Sequence, residues 1–96
     1  MRKFLEALVE LDTQMKREEA VEKLEELAAI AHKLVVDEGL PLSWRLSWSQ
    51  VETSVYATIN GILRSYDAAG IKDEIAKIKK VIAELMEKRG RDQATL

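Results

Sequence analysis

The sequence contains no cysteine, which rules out a disulfide framework, a thiolate metal site and a cysteine nucleophile. It has no apolar run approaching the roughly 18 residues that span a bilayer. Near the start of the chain, Glu6 and Glu10 interrupt the apolar stretch, which is not typical of a signal peptide. We therefore expect a reducing, cytoplasmic location and no membrane partner.

An excess of one charge is also missing. Fifteen Lys and Arg residues against seventeen Asp and Glu give a net charge of −2, so charge gives no indication of nucleic-acid binding. The single histidine, His32, lacks the additional strong ligands that a zinc site needs. No nucleophile-and-base arrangement or glycine-rich phosphate loop is present. We therefore predict no nucleic-acid partner, no catalytic residue and no cofactor.

Apolar residues recur at helical spacing along most of the chain. Ninety-six residues suffice for one core, so we predict a single domain over 1–96. The predicted fold is all-α, an antiparallel helical bundle of three long helices plus a short N-terminal helix. The expected segments are a short helix over 1–12, main helices over 14–38, 47–69 and 72–89, and a frayed tail over 91–96. Whether the helix over 14–38 continues the first one is left open.

Local signals set these boundaries. Three glycines follow periodic segments and predict helix ends in the left-handed conformation: Gly39, Gly70 and Gly90. The only proline, Pro41, follows the first of them. Two serines with Gln or Glu three positions later match the capping box and predict that the third helix begins near 47: Ser47 and Ser49.

Charge is unevenly distributed between the segments. Residues 13–38 contain eleven charged residues in twenty-six, and residues 71–91 contain eleven in twenty-one. Residues 40–66 contain three in twenty-seven: Arg45, Glu52 and Arg64. An ordinary surface helix keeps one strongly charged face. Depletion of charge together with enrichment in aromatics is typical of the core of a protein–protein interface.

The third helix has two distinctive strips. One is apolar and is expected to face the core: Val51, Val55, Ile59, Ile62 and Tyr66. The other is small: Ser54, Ala57, Gly61, Ser65 and Ala68. Glycine inside a helix costs about 1 kcal/mol relative to alanine, which close approach of another helix would offset. Either the small strip is packed inside the monomer, or a partner covers it.

Both tryptophans lie just after Pro41. Trp44 and Trp48 are four residues apart and would share one face of a helical turn. They either close the end of the bundle like a lid or provide an exposed anchor beside Arg45, since Trp and Arg are common in binding hot spots. The candidate interface therefore comprises these residues and the small strip with its neighbours: Trp44, Arg45, Trp48, Ser54, Ala57, Gly61, Arg64 and Ala68.

From these patterns we predict a non-enzymatic helical protein–protein interaction module. Self-association through the charge-poor third helix, giving a homodimer, is the first expectation, and a different helical protein partner is the second. The helices on either side use strong helix formers and alternating charges, in the style of engineered bundles. An engineered helical scaffold or binder with a recognition segment at 42–66 is therefore an alternative. A thermophile protein with an obligate dimer face would show the same contrast.

A second alternative comes from the run Glu18–Glu19–Ala20–Val21–Glu22. It resembles half of the metal-binding signature of the all-α nucleoside triphosphate pyrophosphohydrolases, which pairs E-E-x-x-E with a later E-x-x-D. The later half is not present, because the nearest candidate begins at Glu52 and ends in Val55. The resemblance implies a Mg-dependent enzyme in which Glu18, Glu19 and Glu22 hold the metal, as oxygen-rich magnesium sites require.

Overall fold

A computed structural model of the chain describes residues 2–12, 14–65 and 67–94, with side chains through residue 85 and at Glu87. It contains four α-helices: α1 Arg2–Glu10, α2 Arg17–Val35, α3 Leu42–Arg64 and α4 Ala68–Ala94. Over the described ranges there is no strand. The predicted all-α bundle of three long helices and a short one is confirmed. The open question about the first helix is also answered, because α1 and α2 are separate.

An arginine joins α2 and α3 at each end of the pair. Arg45, in the first turn of α3, donates from Nε to the backbone oxygen of Val35, the last residue of α2, at 2.7 Å. Arg17, the first residue of α2, donates to the backbone oxygen of Ser65 immediately after α3. Carbonyls at a helix C-terminus lack intrahelical partners and lie at the negative end of the dipole. Each arginine therefore satisfies the end of the neighbouring helix, and the two helices are antiparallel.

The core follows the predicted apolar periodicity. The buried side chains of α3 and α4 lie at helical spacing: Trp48, Val51, Val55, Ile59, Ile62, Ile71, Ile75, Ile78 and Ile82. Tyr66, also expected to face the core, lies outside the described residues. Thr58 is a buried polar residue of α3, and its hydroxyl donates to the backbone oxygen of Ser54 at 2.9 Å. Its burial therefore leaves no donor unsatisfied.

The short helix α1 covers the end of the core where α3 begins. Phe4 meets Trp48 edge-on, with ring centroids 4.9 Å apart and planes at 74°. At the other end of α1, Lys23 Nζ of α2 donates to Glu10 Oε2 at 2.7 Å. This hydrogen bond, reinforced by the charges of Glu10 and Glu26, raises the pKa of Lys23 above its ordinary value. Lys23 therefore keeps its charge at neutral pH and loses it as the pH rises through that raised pKa.

Helix α3 begins at Leu42, five residues before the predicted start at 47. Pro41 occupies the position before the first turn, and its carbonyl accepts the first backbone hydrogen bonds of the helix. Proline suits this position because it has no N–H to satisfy and its φ is preset. The predicted capping role of Ser47 is wrong, since its hydroxyl donates to the backbone oxygen of Ser43 inside the helix, at 3.1 Å.

The predicted boundary between the third and fourth helices is also wrong. Helix α3 ends at Arg64 instead of 69, and α4 begins at Ala68 instead of 72. The reason is Asp67, whose Oδ1 accepts the backbone N–H of Gly70 at 2.8 Å. This is the geometry of an aspartate N-cap, which satisfies a free donor in the first turn. Gly70 therefore lies inside α4 and does not terminate the helix before it.

The glycines do not end helices in the predicted way. No glycine in the described part of the chain has a positive φ. Helix α2 ends at Val35, before the predicted 38, and Gly39 lies in a turn closed by Asp37 Oδ1, which accepts its N–H at 2.9 Å. Helix α4 passes through Gly90 and ends at Ala94. The tail expected to fray over 91–96 is thus helical as far as 94, and 95–96 lie outside the described residues.

Replacing Trp48 with alanine should lower the free energy of unfolding by about 3–5 kcal/mol, because it empties a large buried site and leaves Phe4 without its partner. Urea denaturation followed by circular dichroism measures this change. Tyr56→Ala on the exposed side of the same helix is the matched control and should cost far less. Equal effects of the two variants would contradict the placement of Trp48.

Candidate functional site

The side of α3 opposite the core carries no charge between Leu42 and Leu63. We call this the outer stripe, and its members follow one another in alternating steps of four and three residues: Leu42, Leu46, Ser49, Thr53, Tyr56, Asn60 and Leu63. The large apolar members are 67% (Leu42), 58% (Leu46), 53% (Tyr56) and 56% (Leu63) exposed. Thr53 and Asn60 are exposed as well, and Ser49 is half-buried. Helix α3 thus presents apolar side chains to solvent along its whole length.

Polar groups on this side of α3 are partly used within the helix itself. The hydroxyl of Thr53 donates to the backbone oxygen of Ser49 at 3.0 Å. A hydroxyl that already has an acceptor loses little when water is removed from it. The outer stripe is therefore less costly to bury than its count of polar residues suggests.

The exposed faces of α2 and α4 have the opposite character. Their solvent-facing positions are mostly charged: Glu18, Glu19, Glu22, Glu25, Glu26, Lys33, Lys72, Asp73, Lys77, Lys80, Glu84 and Glu87. Contiguous exposed apolar surface on a small protein is typical of an interaction site. The uncharged surface is nevertheless not a membrane span, since no described helix combines sufficient length with sufficient apolarity.

The predicted tryptophan and arginine anchor belongs to the monomer's own fold. Trp48 is 1% exposed and packs on Phe4, so it closes the end of the bundle, and the hypothesis that it is an exposed interface residue is wrong. Trp44 is half-buried. Arg45 is half-buried too, and its Nε is engaged with the end of α2. What remains exposed at this end of α3 is Leu42 and Leu46.

The small strip lies along the junction between α3 and α4. Gly61 is half-buried, and a Cβ added there would lie 2.7 Å from Cδ and Oε2 of Glu74 on α4. Ser54 and Ala57 line a shallow groove with Lys77 and other residues of α4. Thus Gly61 serves packing within the monomer, whereas Ala57 and Ala68 are exposed.

Arg64, the last member of the predicted interface, is exposed at the C-terminal end of α3 beside the outer stripe. Its Nε donates to the backbone oxygen of Asn60 at 3.3 Å. On another side of α3, Glu52 Oε2 accepts from Nδ1 of His32 on α2, at 2.9 Å. The single histidine thus forms an interhelical pair.

The three glutamates that resemble a metal-binding signature are all exposed on α2. Glu18 lines two recesses, one together with Glu19 and Asp67 and the other together with Glu22 and Leu63. Within the described residues there is no group of three or more acidic or histidine side chains placed to hold a metal ion. The geometry therefore adds no support to the magnesium alternative.

No protein-family model matches the sequence, and comparisons with curated proteins and with solved structures gave no significant match. No function is therefore transferred from a relative. The feature of the molecule that bears on function is the uncharged surface of α3.

None of the seven residues of the outer stripe is among the individually predicted interface residues, although all of them lie within the segment 42–66. The signal was present, because extending the helical phase back to Leu42 places Leu46, Thr53 and Asn60 opposite the core-facing valines and isoleucines. A helix that begins at 47 leaves Leu42 and Leu46 in a loop, outside the helical phase. The glycine at 61 inside a helix points to the small strip instead.

Substitutions at Gly61 test its packing against α4. Gly61→Ala should leave stability unchanged or raise it by up to about 1 kcal/mol, because helix propensity improves and only the flexible end of Glu74 must move. Gly61→Leu should lower stability by about 1–3 kcal/mol, because α3 and α4 must separate. Thermal and urea denaturation of both variants measure this. If leucine is tolerated as well as alanine, the helices are not in close contact at this position.

Proposed function

We propose that the chain is a helical protein–protein interaction module that acts by association and not by catalysis, and that it forms a homodimer through α3. The observation that carries this proposal is the outer stripe. It runs from Leu42 to Leu63, about 32 Å at the rise of an α-helix. Four large apolar side chains along it are more than half exposed, whereas the other two long helices, α2 and α4, expose mostly charged side chains.

The size of the stripe indicates the strength of the association. Completing the burial of each half-exposed Leu or Tyr is worth on the order of 1 kcal/mol. Such gains are modest beside the cost of bringing two molecules together. We therefore propose a dimer that dissociates in the micromolar range, and not a permanently paired one.

A different protein partner, as in the engineered scaffold alternative with recognition segment 42–66, would use the same stripe. The mass of the protein in solution separates the two cases, because only self-association depends on the concentration of this chain alone. The Mg-dependent pyrophosphohydrolase alternative and the cytoplasmic location stay predictions from the sequence.

Tyr56→Lys is the sharpest test of the homodimer. It places a charge in the middle of the outer stripe, which must then be desolvated without a counter-charge. We expect at least a tenfold weaker association, or about 1.4 kcal/mol. Light scattering and sedimentation across a dilution series measure this, with circular dichroism at low concentration to show that the fold is unchanged.

The matched control is Ala76→Lys, which adds the same charge at an exposed position of α4. It should leave the association unchanged. A wild-type protein that stays monomeric at several hundred micromolar would overturn the homodimer. Equal weakening by both variants would show that α3 is not the contact surface.

A further inference from the structure

Building on the proposed self-association, we infer that two copies pair antiparallel through the outer stripe, with Leu46 against Leu63 of the second copy. The steps of four and three residues within the stripe average 3.5, the period of a left-handed coiled-coil seam. Two such helices cross at about 20° with their side chains interlocked. The occupant is therefore a second α3 running in the opposite direction.

Matching chemistry selects the register. In an antiparallel seam, residues at alternate positions of the stripe form layers with residues of the other copy. One register places Leu46 beside the second copy's Leu63, Thr53 beside its Tyr56, and Ser49 beside its Asn60. Apolar side chains then meet apolar ones, and the amide meets a hydroxyl with which it can form a hydrogen bond.

Shifting the pairing by one heptad loses this match. Asn60 would then lie against Leu42 of the other copy. One leucine extends past the other α3 in either register, Leu42 in the inferred one and Leu63 in the shifted one, so the position of Asn60 is what distinguishes them. An amide buried without a partner costs about 1–3 kcal/mol. Polar residues in coiled-coil seams commonly fix register in this way. Ser49 and Asn60 therefore determine the alignment, whereas the leucines supply most of the apolar burial.

Charge and size favour the antiparallel direction over the parallel one. Antiparallel pairing brings exposed Arg64 level with the first turn of the other α3, where Arg45 is engaged with the end of α2 and the exposed acidic residues Asp37 and Glu38 precede the helix. It also opposes the two helix dipoles. Parallel pairing would place Arg64 near Arg64 of the second copy and would bring the two acidic turns together. It would also place Tyr56 directly against Tyr56 of the second copy. In the antiparallel pair, each of these layers combines one large side chain, Tyr56, with one small side chain, Thr53, so the layers have equal volume.

Because the chain has no cysteine, single-cysteine variants report this geometry directly. Leu46→Cys and Leu63→Cys chains, one carrying a tag that changes its mass, are mixed and oxidised gently with oxidised glutathione. The inferred register places these two positions side by side, within the reach of a disulfide. In the same arrangement, residue 46 of one copy and residue 46 of the other are 17 residues apart along the helix axis, or about 25 Å. The mixture should therefore cross-link about tenfold more than either variant alone.

Two further mixtures make the test complete. Ser49→Cys mixed with Asn60→Cys should cross-link as well. This pair keeps both leucines, so it serves if the leucine variants weaken the dimer. Leu46→Cys with Tyr56→Cys is the control for the shifted register and should cross-link poorly, since it is displaced by seven residues, or about 10 Å.

Each outcome decides a different point. Cross-linking of either variant with itself would show parallel pairing and overturn the inference, and efficient cross-linking of positions 46 and 56 would show the shifted register. A wild-type dimer in which none of these pairs cross-links would overturn the seam while leaving the homodimer standing. A wild-type monomer in sedimentation would overturn the proposed function itself.

Discussion

The antiparallel contact between α2 and α3 determines how the rest of the chain is placed. Arg45 and Arg17 join the ends of the two helices, and the apolar strip of α3 fixes which side of it faces inward. Helix α4 then occupies a second flank of α3, and α1 covers Trp48. Three long helices cannot surround the middle one, so one side of α3 must face solvent. The packing of the core therefore does not determine which residue types occupy that exposed side.

Helix stability does not explain why uncharged residues occupy the exposed side of α3. Thr, Asn, Ser and Tyr are weaker helix formers than the Lys and Glu that fill the exposed faces of α2 and α4. Each such residue costs a few tenths of a kcal/mol relative to them, and exposed leucine gains nothing from water. An interaction surface accounts for both features, because it needs side chains that are inexpensive to desolvate. That is the physical reason for assigning function to the outer stripe.

The fold class could be predicted because helical periodicity is local information. The isoleucines of α4 and the valines of α3 repeat at a spacing that only one secondary structure buries. Helix ends were harder, because a serine hydroxyl can cap a helix or bond to the preceding turn. At Ser47 the second use prevails once Pro41 has already started the helix. The capping role of Asp67 outweighed the signal from Gly70 for the same kind of reason.

The candidate site illustrates a different limit. The sequence shows that segment 40–66 has little charge and that it contains a small strip, and both were assigned to one interface. In three dimensions they separate, because Gly61 faces Glu74 of α4 while the uncharged residues at Leu42, Tyr56 and Leu63 face solvent. The burial of Trp48 likewise depends on Phe4, which is distant in sequence. The low charge of a helix therefore does not show which of its sides is buried, because only the packing of its neighbours shows which side is already occupied within the monomer.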